Sequence, residues 1–437
     1  MRRSKIAELI TWKNSASRKP LIIRGARQVG KTWLMQEFGK SQYGQTVYLN
    51  FERNKRLKSL FSDDFDIKRI IVALQAETGL TINSANTLLI FDEIQEVPEA
   101  LTALKYFQED APQFHIIAAG SLLGVALHSH TSFPVGKVIF MDLYPLSFHE
   151  FLDAMGEKTL IELLKIEDWK LITNSKSRYI DRLRQYYYVG GMPEAVLKFS
   201  ENNSFKDVRD IHKQILDAYE HDFSKHAPRD IVPRIRMIWN SIPAQLAKEN
   251  RKFIYGLIKE GARAKDFELA ISWLTDCGLI HKICRASKPS LPLKAYEDRS
   301  SFKLFLADIG LLSSMGNIDA RTMLEGNSVF SEFKGALTEQ YVFQQLNGSD
   351  EFVIYYWSAD RSTAEVDFVV QYKSLIVPVE VKAEENLQAK SLKVYLEKFK
   401  PKVSIRTSMS DFRKQEWLTN LPLYAISELI QQIDEES

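Results

Sequence analysis

The feature that most constrains the fold is the eight-residue segment 25–32, which follows a short apolar run at residues 20–24. Its fixed positions fit the pattern G-x-x-x-x-G-K-[ST], and residues 33–38 continue with apolar side chains at helical spacing. A strand, a glycine loop and a helix in this order predict a phosphate-binding loop. The reason is that glycines let backbone N–H groups turn inward, while the start of the helix attracts an anion.

Two residues of this loop have predicted chemical roles. Lys31 is expected to reach the β- and γ-phosphates of a nucleotide as a catalytic cation, and the Thr32 hydroxyl to bind Mg²⁺. The predicted nucleotide-binding residues are Gly25, Ala26, Arg27, Gln28, Val29, Gly30, Lys31, Thr32 and Trp33.

A second apolar run, at residues 86–92, is the most strand-like of the chain and ends in Asp92 and Glu93. In a nucleotide site Asp92 would hold the hydrated Mg²⁺ and Glu93 would polarise the attacking water. The alternative is an acidic helix start, since carboxylates suit first turns. Beside the phosphate-binding loop we favour the nucleotide site.

Further strands are predicted at residues 46–50, 115–121 and 135–143. Ser121 closes one of them and is expected to sense the γ-phosphate as a catalytic residue, to cap the following helix, or to do both. Strands that alternate with helices predict an α/β fold with a parallel sheet covered on both faces. Ligands of such sheets bind at the carboxyl ends of the strands, where Gly25, Asp92 and Ser121 fall.

Composition limits the remaining classes of function. A chain of 437 residues is too long for one core, and its net charge of +2 excludes a polycation that binds nucleic acid by charge alone. Its two cysteines, Cys277 and Cys284, exclude a disulfide framework or a four-cysteine zinc site. The sequence has no apolar run near 18 residues, so we expect a cytoplasmic protein with no membrane segment.

Several motifs together resemble an AAA-type family of bacterial and archaeal ATP-binding proteins. They lie at residues 25–32, 91–95, 119–121, 145–151, 188–194 and 308–312, so the resemblance runs nearly from end to end. It implies ATP rather than GTP as the ligand, and the sequence has no Asn-Lys-x-Asp motif for reading guanine. The family is expected to carry Gly-Arg where this chain has Gly136 and Lys137, and lysine lacks the planar fork of an arginine finger.

Residues 156–247 are predicted to be helical, and residues 248–300 to form a winged helix. In the latter, helices are expected at 253–258 and 267–274, followed by a wing strand at 279–285. Its basic residues could follow a DNA backbone, but many such modules bind protein or pack within their own chain. These residues are Lys259, Arg263, Lys265, Lys282, Arg285 and Lys288.

The last hundred residues carry a second group of charged side chains. Asp367 lies in one predicted strand, and Glu380 and Lys382 share one face of the next. Helices are predicted at 335–342 and 387–399, and a last strand at 403–406. This order resembles the restriction-endonuclease-like core, and Asp…Glu-x-Lys resembles its PD-(D/E)xK motif.

The chemistry of that motif explains the spacing. Asp367 and Glu380 would hold one Mg²⁺, Glu339 would complete the metal shell, and Lys382 would activate water or stabilise the charge of the reacting phosphate. The alternative is a surface hairpin with an ordinary Glu–Lys pair. Whether such a core cleaves nucleic acid is a separate question, because a fold does not carry its activity with it.

We therefore predict four domains: a P-loop AAA-type ATPase core at 1–155, a helical connector at 156–247, a winged helix at 248–300 and a restriction-endonuclease-like domain at 301–437. The predicted function is ATP hydrolysis, with Mg²⁺, as a conformational switch or motor that acts on DNA. The alternative is a nucleotide-gated module that binds DNA or protein through an inactive nuclease core. Candidate partners besides ATP are DNA, a protein and further copies of the chain.

Overall fold

The structure is a computed structural model, in which the chain forms two compact units. It describes residues 1–54, 56–62, 65–120, 136–248, 252–325, 331–360, 363–385 and 389–436. The N-terminal unit comprises Arg2–Tyr144 and Asp276–Leu279. The C-terminal unit comprises Pro145–Thr275 and Ile280–Ser437, together with Met1.

The N-terminal unit is built on a parallel sheet with the strand order β2-β3-β4-β1-β5. Its strands are β1 (Leu21–Arg24), β2 (Gln45–Asn50), β3 (Thr87–Asp92), β4 (His115–Ala119) and β5 (Ile139–Asp142). Its helices are α1 (Lys5–Asn14), α2 (Lys31–Gln42), α3 (Arg56–Ser62), α4 (Ile67–Thr78) and α5 (Pro98–Asp110).

Strand β3 is buried along its whole length, as a central strand covered on both faces should be. The predicted parallel α/β sheet is therefore confirmed. β5 is shorter than the predicted strand at 135–143.

The C-terminal unit begins with α6 (Phe148–Ala154), whose start is fixed by a capping box between Ser147 and Glu150, as its sequence indicates. Helices then follow one another through the region predicted to be helical. They are α7 (Lys158–Lys165), α8 (Trp169–Asn174), α9 (Lys176–Val189), α10 (Pro193–Asn202), α11 (Phe205–His226) and α12 (Val232–Leu246). In the described part of the chain, no helix is both long enough and apolar enough to cross a membrane.

A mixed sheet organises the rest of this unit, with the strand order β12-β13-β11-β10-β9-β8-β6-β7. Its strands are β6 (Ile280–Ala286), β7 (Glu297–Leu306), β8 (Val353–Ser358), β9 (Glu365–Tyr372), β10 (Leu375–Val381), β11 (Ile405–Ser408), β12 (Arg413–Gln415) and β13 (Leu418–Pro422). The accompanying helices are α13 (Ala264–Asp276), α14 (Ile309–Met315), α15 (Ala320–Glu325), α16 (Ser331–Asn347), α17 (Lys390–Phe399) and α18 (Leu429–Glu436).

Parts of the predicted winged helix differ from the structure. Residues 253–258 hold only a short 3₁₀ turn at Tyr255–Leu257, because Ile254 is extended and Gly256 disfavours a helix. The second helix is confirmed as α13, but the expected wing strand is β6, which pairs with both β7 and β8 inside the large sheet. The predicted strand at 403–406 is β11, and it is not the last, since β12 and β13 follow it.

The predicted ranges 156–247, 248–300 and 301–437 fall in the C-terminal unit, apart from Asp276–Leu279. The division of this unit into a helical connector, a winged helix and a nuclease-like domain therefore stays a prediction.

A buried carboxylate explains two of the sequence motifs, at 188–194 and 308–312. Asp308 is fully buried and accepts hydrogen bonds from the N–H groups of Gly191 (2.6 Å) and Leu311 (3.0 Å) and from the Gln344 side chain (3.2 Å). Burial raises the pKa of its carboxyl, while these donors oppose the rise. Gly190 has a left-handed backbone, and a Cβ there would lie 2.2 Å from the carboxylate. The motifs thus meet as one polar junction in the core.

Replacing Gly310→Ala tests how tightly this junction is packed. Alanine favours a helix by about 1 kcal/mol over glycine, but a Cβ at this position would lie 2.6 Å from the Val189 carbonyl oxygen and 2.7 Å from the Gly190 nitrogen. Both neighbours are backbone, so we expect overpacking to prevail and to lower the free energy of unfolding by roughly 1–3 kcal/mol. Urea unfolding measures the change.

The matched control is Gly256→Ala, where a Cβ meets only the Ile254 side chain at 4.0 Å. This variant should stay within about 0.5 kcal/mol of the wild type. Equal stability of the two variants would contradict the close packing inferred for Gly310.

Candidate nucleotide-binding site

The loop between β1 and α2 can be formed only because glycine occupies two of its positions. Gly25 has a φ of +144°, and a Cβ there would lie 2.1 Å from the Leu143 carbonyl oxygen. Gly30 has a φ of +93° and stands immediately before α2. Gln28 also adopts a left-handed backbone, with a φ of +67°. The chain therefore turns sharply onto the N-terminus of α2, which is the conformation that an anion-binding loop requires.

Lys31 lies inside this loop and is only 6% exposed. Its Nζ donates hydrogen bonds to the carbonyl oxygens of Gly25 and Ala26, both at 2.8 Å. Burial lowers the pKa of Lys31 to about 8, while the charges of Glu93 and Asp92 favour its protonated form. A phosphate group could replace the two neutral acceptors, so the lysine suits the predicted role.

Thr32 and Asp92, predicted to share one metal ion, are in contact. The Thr32 hydroxyl donates to Asp92 Oδ2 at 2.8 Å, and the Tyr48 hydroxyl donates to the same oxygen at 2.7 Å. A hydroxyl and a carboxylate are hard oxygen ligands of the kind that Mg²⁺ prefers. The donor set therefore fits a magnesium ion that also contacts a nucleotide. Tyr48 did not emerge from the sequence, because its approach depends on the pairing of β2 with β3.

Glu93 follows the end of β3 in a left-handed backbone conformation, with a φ of +52°. Its Oε2 accepts a hydrogen bond from Gln95 Nε2 at 2.7 Å. A 3₁₀ turn at Ile94–Glu96 begins here, so the acidic turn start considered as an alternative is present as well. The two interpretations are compatible, and the catalytic role of Glu93 stays a prediction.

The remaining predicted residues of the loop differ in their surroundings. Ala26 and Val29 are buried, whereas Trp33 is 42% exposed on α2. The charge of Arg27 lowers the pKa of Lys31. Ser121 lies outside the described residues.

Arg3 supports the loop from outside and did not emerge from the sequence either. This buried side chain donates to the carbonyl oxygens of Val29 (3.2 Å) and Tyr144 (2.6 Å). In the sequence it is one of several basic residues near the first methionine, and no local pattern separates it from them. Lys137, at the position where an arginine finger was considered, forms an ion pair with Glu109 at 2.9 Å, and its role stays a prediction.

A turn from much later in the chain also belongs to the N-terminal unit. It is Asp276–Leu279, whose Gly278 has a φ of +69°. A Cβ on Gly278 would lie 3.2 Å from the backbone nitrogen of Ala26, which is in the phosphate-binding loop. The turn therefore packs against the loop, a relation that sequence spacing could not reveal.

Replacing Gly278→Ala should weaken nucleotide binding. The left-handed backbone costs an alanine about 1–2 kcal/mol, and the new methyl group would also press on Ala26. We expect the dissociation constant for ATP to rise about fivefold to tenfold, since a displaced loop presents its N–H groups less well. Titration with a fluorescent ATP analogue measures it.

Gly261→Ala is the matched control, because Gly261 has a φ of +74° and a Cβ there meets nothing within 4 Å. It should be destabilised to a similar extent but bind ATP like the wild type. The same loss of affinity in both variants would assign the effect to general destabilisation.

Residues 17–152 match the model of the AAA domain family. Together with the parallel sheet and the loop geometry, this match supports an AAA-type P-loop ATPase domain. Residues 180–322 and 334–426 match two families described as domains of unknown function, DUF8612 and DUF4143. Among curated proteins, none matches the chain.

Solved structures include several similar chains at low identity. A Walker-type ATPase of Pyrococcus abyssi is 16% identical, with a TM-score of 0.44, over 72% of this chain and 95% of its own. The Orc1 protein of Aeropyrum pernix, in complex with DNA, is 12% identical, with a TM-score of 0.26, over 73% of this chain and 93% of its own. Cdc6p from Pyrobaculum aerophilum is 12% identical, with a TM-score of 0.25, over 74% of this chain and 92% of its own. These TM-scores are too low for the similarities to carry an argument about this chain.

The second predicted group of charged residues lies in the C-terminal unit. Phe368 pairs with Val379 in the antiparallel β9–β10 ladder, so Asp367, just before Phe368, and Glu380, just after Val379, are adjacent on neighbouring strands. Lys382 Nζ lies 2.7 Å from Glu380 Oε1, and Asp367 Oδ2 accepts the N–H of Val381 at 2.7 Å. Burial, with the charge of Asp367, raises the pKa of Glu380 to about 7, and Lys382 opposes the rise. The three predicted residues are therefore neighbours.

Glu339, on α16, is connected to this group by Lys303, which lies near both Glu339 and Glu380. Lys303 Nζ lies 3.6 Å from Glu339 Oε2 and 2.6 Å from Glu365 Oε1, and its charge lowers the pKa of Glu380. Lys303 and Glu365 did not emerge from the sequence. Within the described ranges, no group of three or more His, Cys, Asp or Glu side chains is arranged to hold a metal ion. The metal roles of Glu339, Asp367 and Glu380, and the catalytic role of Lys382, stay predictions.

Two of the basic residues predicted to contact DNA are engaged within the C-terminal unit. Arg285 pairs with Asp298 (3.1 Å) and Asp360 (2.8 Å), and Lys282 Nζ lies 4.3 Å from the centre of the Phe302 ring. An exposed basic group remains immediately before and within the start of α13. Its residues are Lys259, Arg263 and Lys265.

Proposed function

We propose that the N-terminal unit binds ATP with Mg²⁺ and hydrolyses it. The observation that carries this proposal is the 2.8 Å contact between Thr32 and Asp92, which joins the phosphate-binding loop to the end of β3. ATP would supply the phosphoanhydride bond, and Mg²⁺ the charge that offsets the phosphates. The AAA family match over 17–152 supports ATP as the nucleotide.

Each side chain has a separate task in this proposal. Lys31 would exchange its two carbonyl acceptors for phosphate oxygens, and Thr32 and Asp92 would hold the metal ion. Glu93, kept in place by Gln95, would accept a hydrogen bond from the attacking water and so orient it. Ser121 would sense the γ-phosphate.

We also propose that nucleotide turnover serves as a switch or motor for the C-terminal unit. The turn Asp276–Leu279 supports this, because it belongs to the N-terminal unit while the chain on either side of it belongs to the C-terminal unit. A change in the loop at Ala26 would therefore be transmitted along the backbone into α13 and β6. Cytoplasmic localisation and assembly into homo-oligomers stay predictions.

Two substitutions separate binding from hydrolysis. Lys31→Ala removes the buried cation and should weaken ATP binding about 100-fold. Glu93→Gln keeps the size of the side chain but not its charge, so binding should persist while turnover falls about 100-fold or more. Binding is measured by calorimetry and turnover by phosphate release.

Lys40→Ala is the control for Lys31→Ala, since Lys40 is an exposed lysine of the same helix, and it should leave both quantities unchanged. Equal loss of ATP binding in the Lys31 and Glu93 variants would contradict the division of roles. Tighter binding of GTP than of ATP would contradict the assignment of the nucleotide.

The second candidate function is that of a nucleotide-gated module which binds a partner without cleaving it. The ion pairs of Lys303 with Glu339 and of Lys382 with Glu380 favour this candidate, because they occupy oxygens that a nuclease metal would need. DNA and a protein are the two partners considered. ATP turnover measured with and without duplex and single-stranded DNA distinguishes them, because only a DNA partner should change the rate.

If the partner is DNA, the exposed group Lys259, Arg263 and Lys265 should contribute to binding. Reversing all three charges should reduce the slope of log K against log salt by about 2–3, since each phosphate contact releases counterions. Fluorescence anisotropy over a range of salt concentrations measures the slope. Reversal of Arg285 is a poor substitute, because it would break two internal ion pairs. DNA binding that does not depend on salt concentration would favour a protein as the partner.

A further inference from the structure

We propose that the Lys303 ammonium group takes the place of a divalent metal ion in the carboxylate cluster of the C-terminal unit, so that the cluster is held together without metal. The cluster consists of Glu339, Glu365, Asp367 and Glu380, with the cations Lys303, Lys382 and Arg406. This proposal does not depend on ATP hydrolysis in the N-terminal unit.

Lys303 is an interior cation with carboxylate partners. It lies on β7, is 0% exposed, and its Nζ is 2.6 Å from Glu365 Oε1 and 3.6 Å from Glu339 Oε2. The ring of Tyr356, on β8, has its centre 5.0 Å from the same nitrogen. A buried ammonium group is tolerated only where such partners replace its hydration. Lys303 therefore links β7, β9 and α16 as a central cation.

A metal ion at the predicted ligands would compete with two lysines, with Lys303 for Glu339 and with Lys382 for Glu380. Mg²⁺ requires ligand oxygens at about 2.0–2.1 Å in octahedral geometry and retains several waters. Lys303 already fills the space between Glu339 and Glu365, and Lys382 lies 2.7 Å from Glu380. A hydrated ion could enter only if these lysines withdrew, and Lys303 would have to leave a fully buried position.

The charges of the cluster lead to the same conclusion. The cluster contains four carboxylates and three cations. Arg406 counts among the cations because it lies on the neighbouring strand β11, in register with Glu380. With every group ionised, one negative charge remains, so a bound divalent ion would give this buried cluster a net positive charge. Without Lys303 there would be two, and a divalent ion would balance them.

One oxygen of the cluster would be available to an ion once Lys303 is gone. Glu380 is 4% exposed, and its Oε2 has no hydrogen-bond partner among the residues that the structure describes. A buried carboxylate oxygen without a donor is a strong potential ligand for a cation. The proposal therefore predicts that a single neutral substitution creates a metal site.

The test measures Mn²⁺ binding to the full chain without nucleotide, for the wild type and for Lys303→Met. Methionine preserves most of the side-chain volume and removes the charge. Each protein is compared with its own Asp367→Ala version, so that the difference reports the cluster and not the N-terminal unit. We expect the wild type to show no such difference, and Lys303→Met to bind Mn²⁺ roughly tenfold or more tightly than its own Asp367→Ala version.

Lys303→Met/Glu365→Gln is the matched control, because it removes one charge of each sign. It should fold and lose the new Mn²⁺ site. Mn²⁺ binding by the wild-type cluster, abolished by Asp367→Ala, would overturn the proposal even if Lys303→Met failed to fold. A folded Lys303→Met chain that binds no Mn²⁺ at the cluster would overturn it as well.

Discussion

The hydrogen bond between Thr32 and Asp92 is the contact on which the nucleotide site depends. It joins the start of α2 to the end of β3, two elements that the sequence separates by sixty positions. Tyr48 donates to the same carboxylate oxygen from β2, so hydroxyl groups from two elements fix the side chain. Gly25 and Arg3 shape the phosphate-binding loop beside this contact. Gly25 allows β1 to pass close to Leu143, and Arg3 holds the loop by its Val29 carbonyl.

The sequence predicted the parts of this site that lie within a few residues of one another. The glycines, Lys31 and Thr32 form a local pattern, and an apolar run that ends in Asp92 and Glu93 predicts a strand end at the same sheet edge. Tyr48, Arg3 and Gly278 could not be predicted in this way. Their contributions depend on strand order and on turns that approach from distant positions, and no short motif records either.

The C-terminal unit shows the same limit more clearly. Lys382 follows the end of β10 and contacts Glu380, as a period of two predicts, and the pairing of β9 with β10 adds Asp367. For residues 253–285 the sequence predicted the second helix and a strand, but not that this strand lies between two neighbours, because alternation does not reveal how many strands flank it. Lys303 was missed as well. In the sequence it is one basic residue within the apolar run 302–306, and only the structure shows that it is buried beside Glu365.

Lys31 and Lys303 show how the partners of a buried ammonium group determine what it can do. Both are buried, but Lys31 is held by two neutral carbonyl oxygens and Lys303 by two carboxylates. The direct hydrogen-bond partners of Lys31 are neutral, and the charges of Asp92 and Glu93 act on it without a direct bond, so an anionic phosphate gains by replacing the carbonyl oxygens. Carboxylates already balance the charge of Lys303, so an incoming anion gains nothing there and an incoming cation must displace it. The first lysine is therefore arranged to exchange partners with a nucleotide, and the second to keep the partners it has.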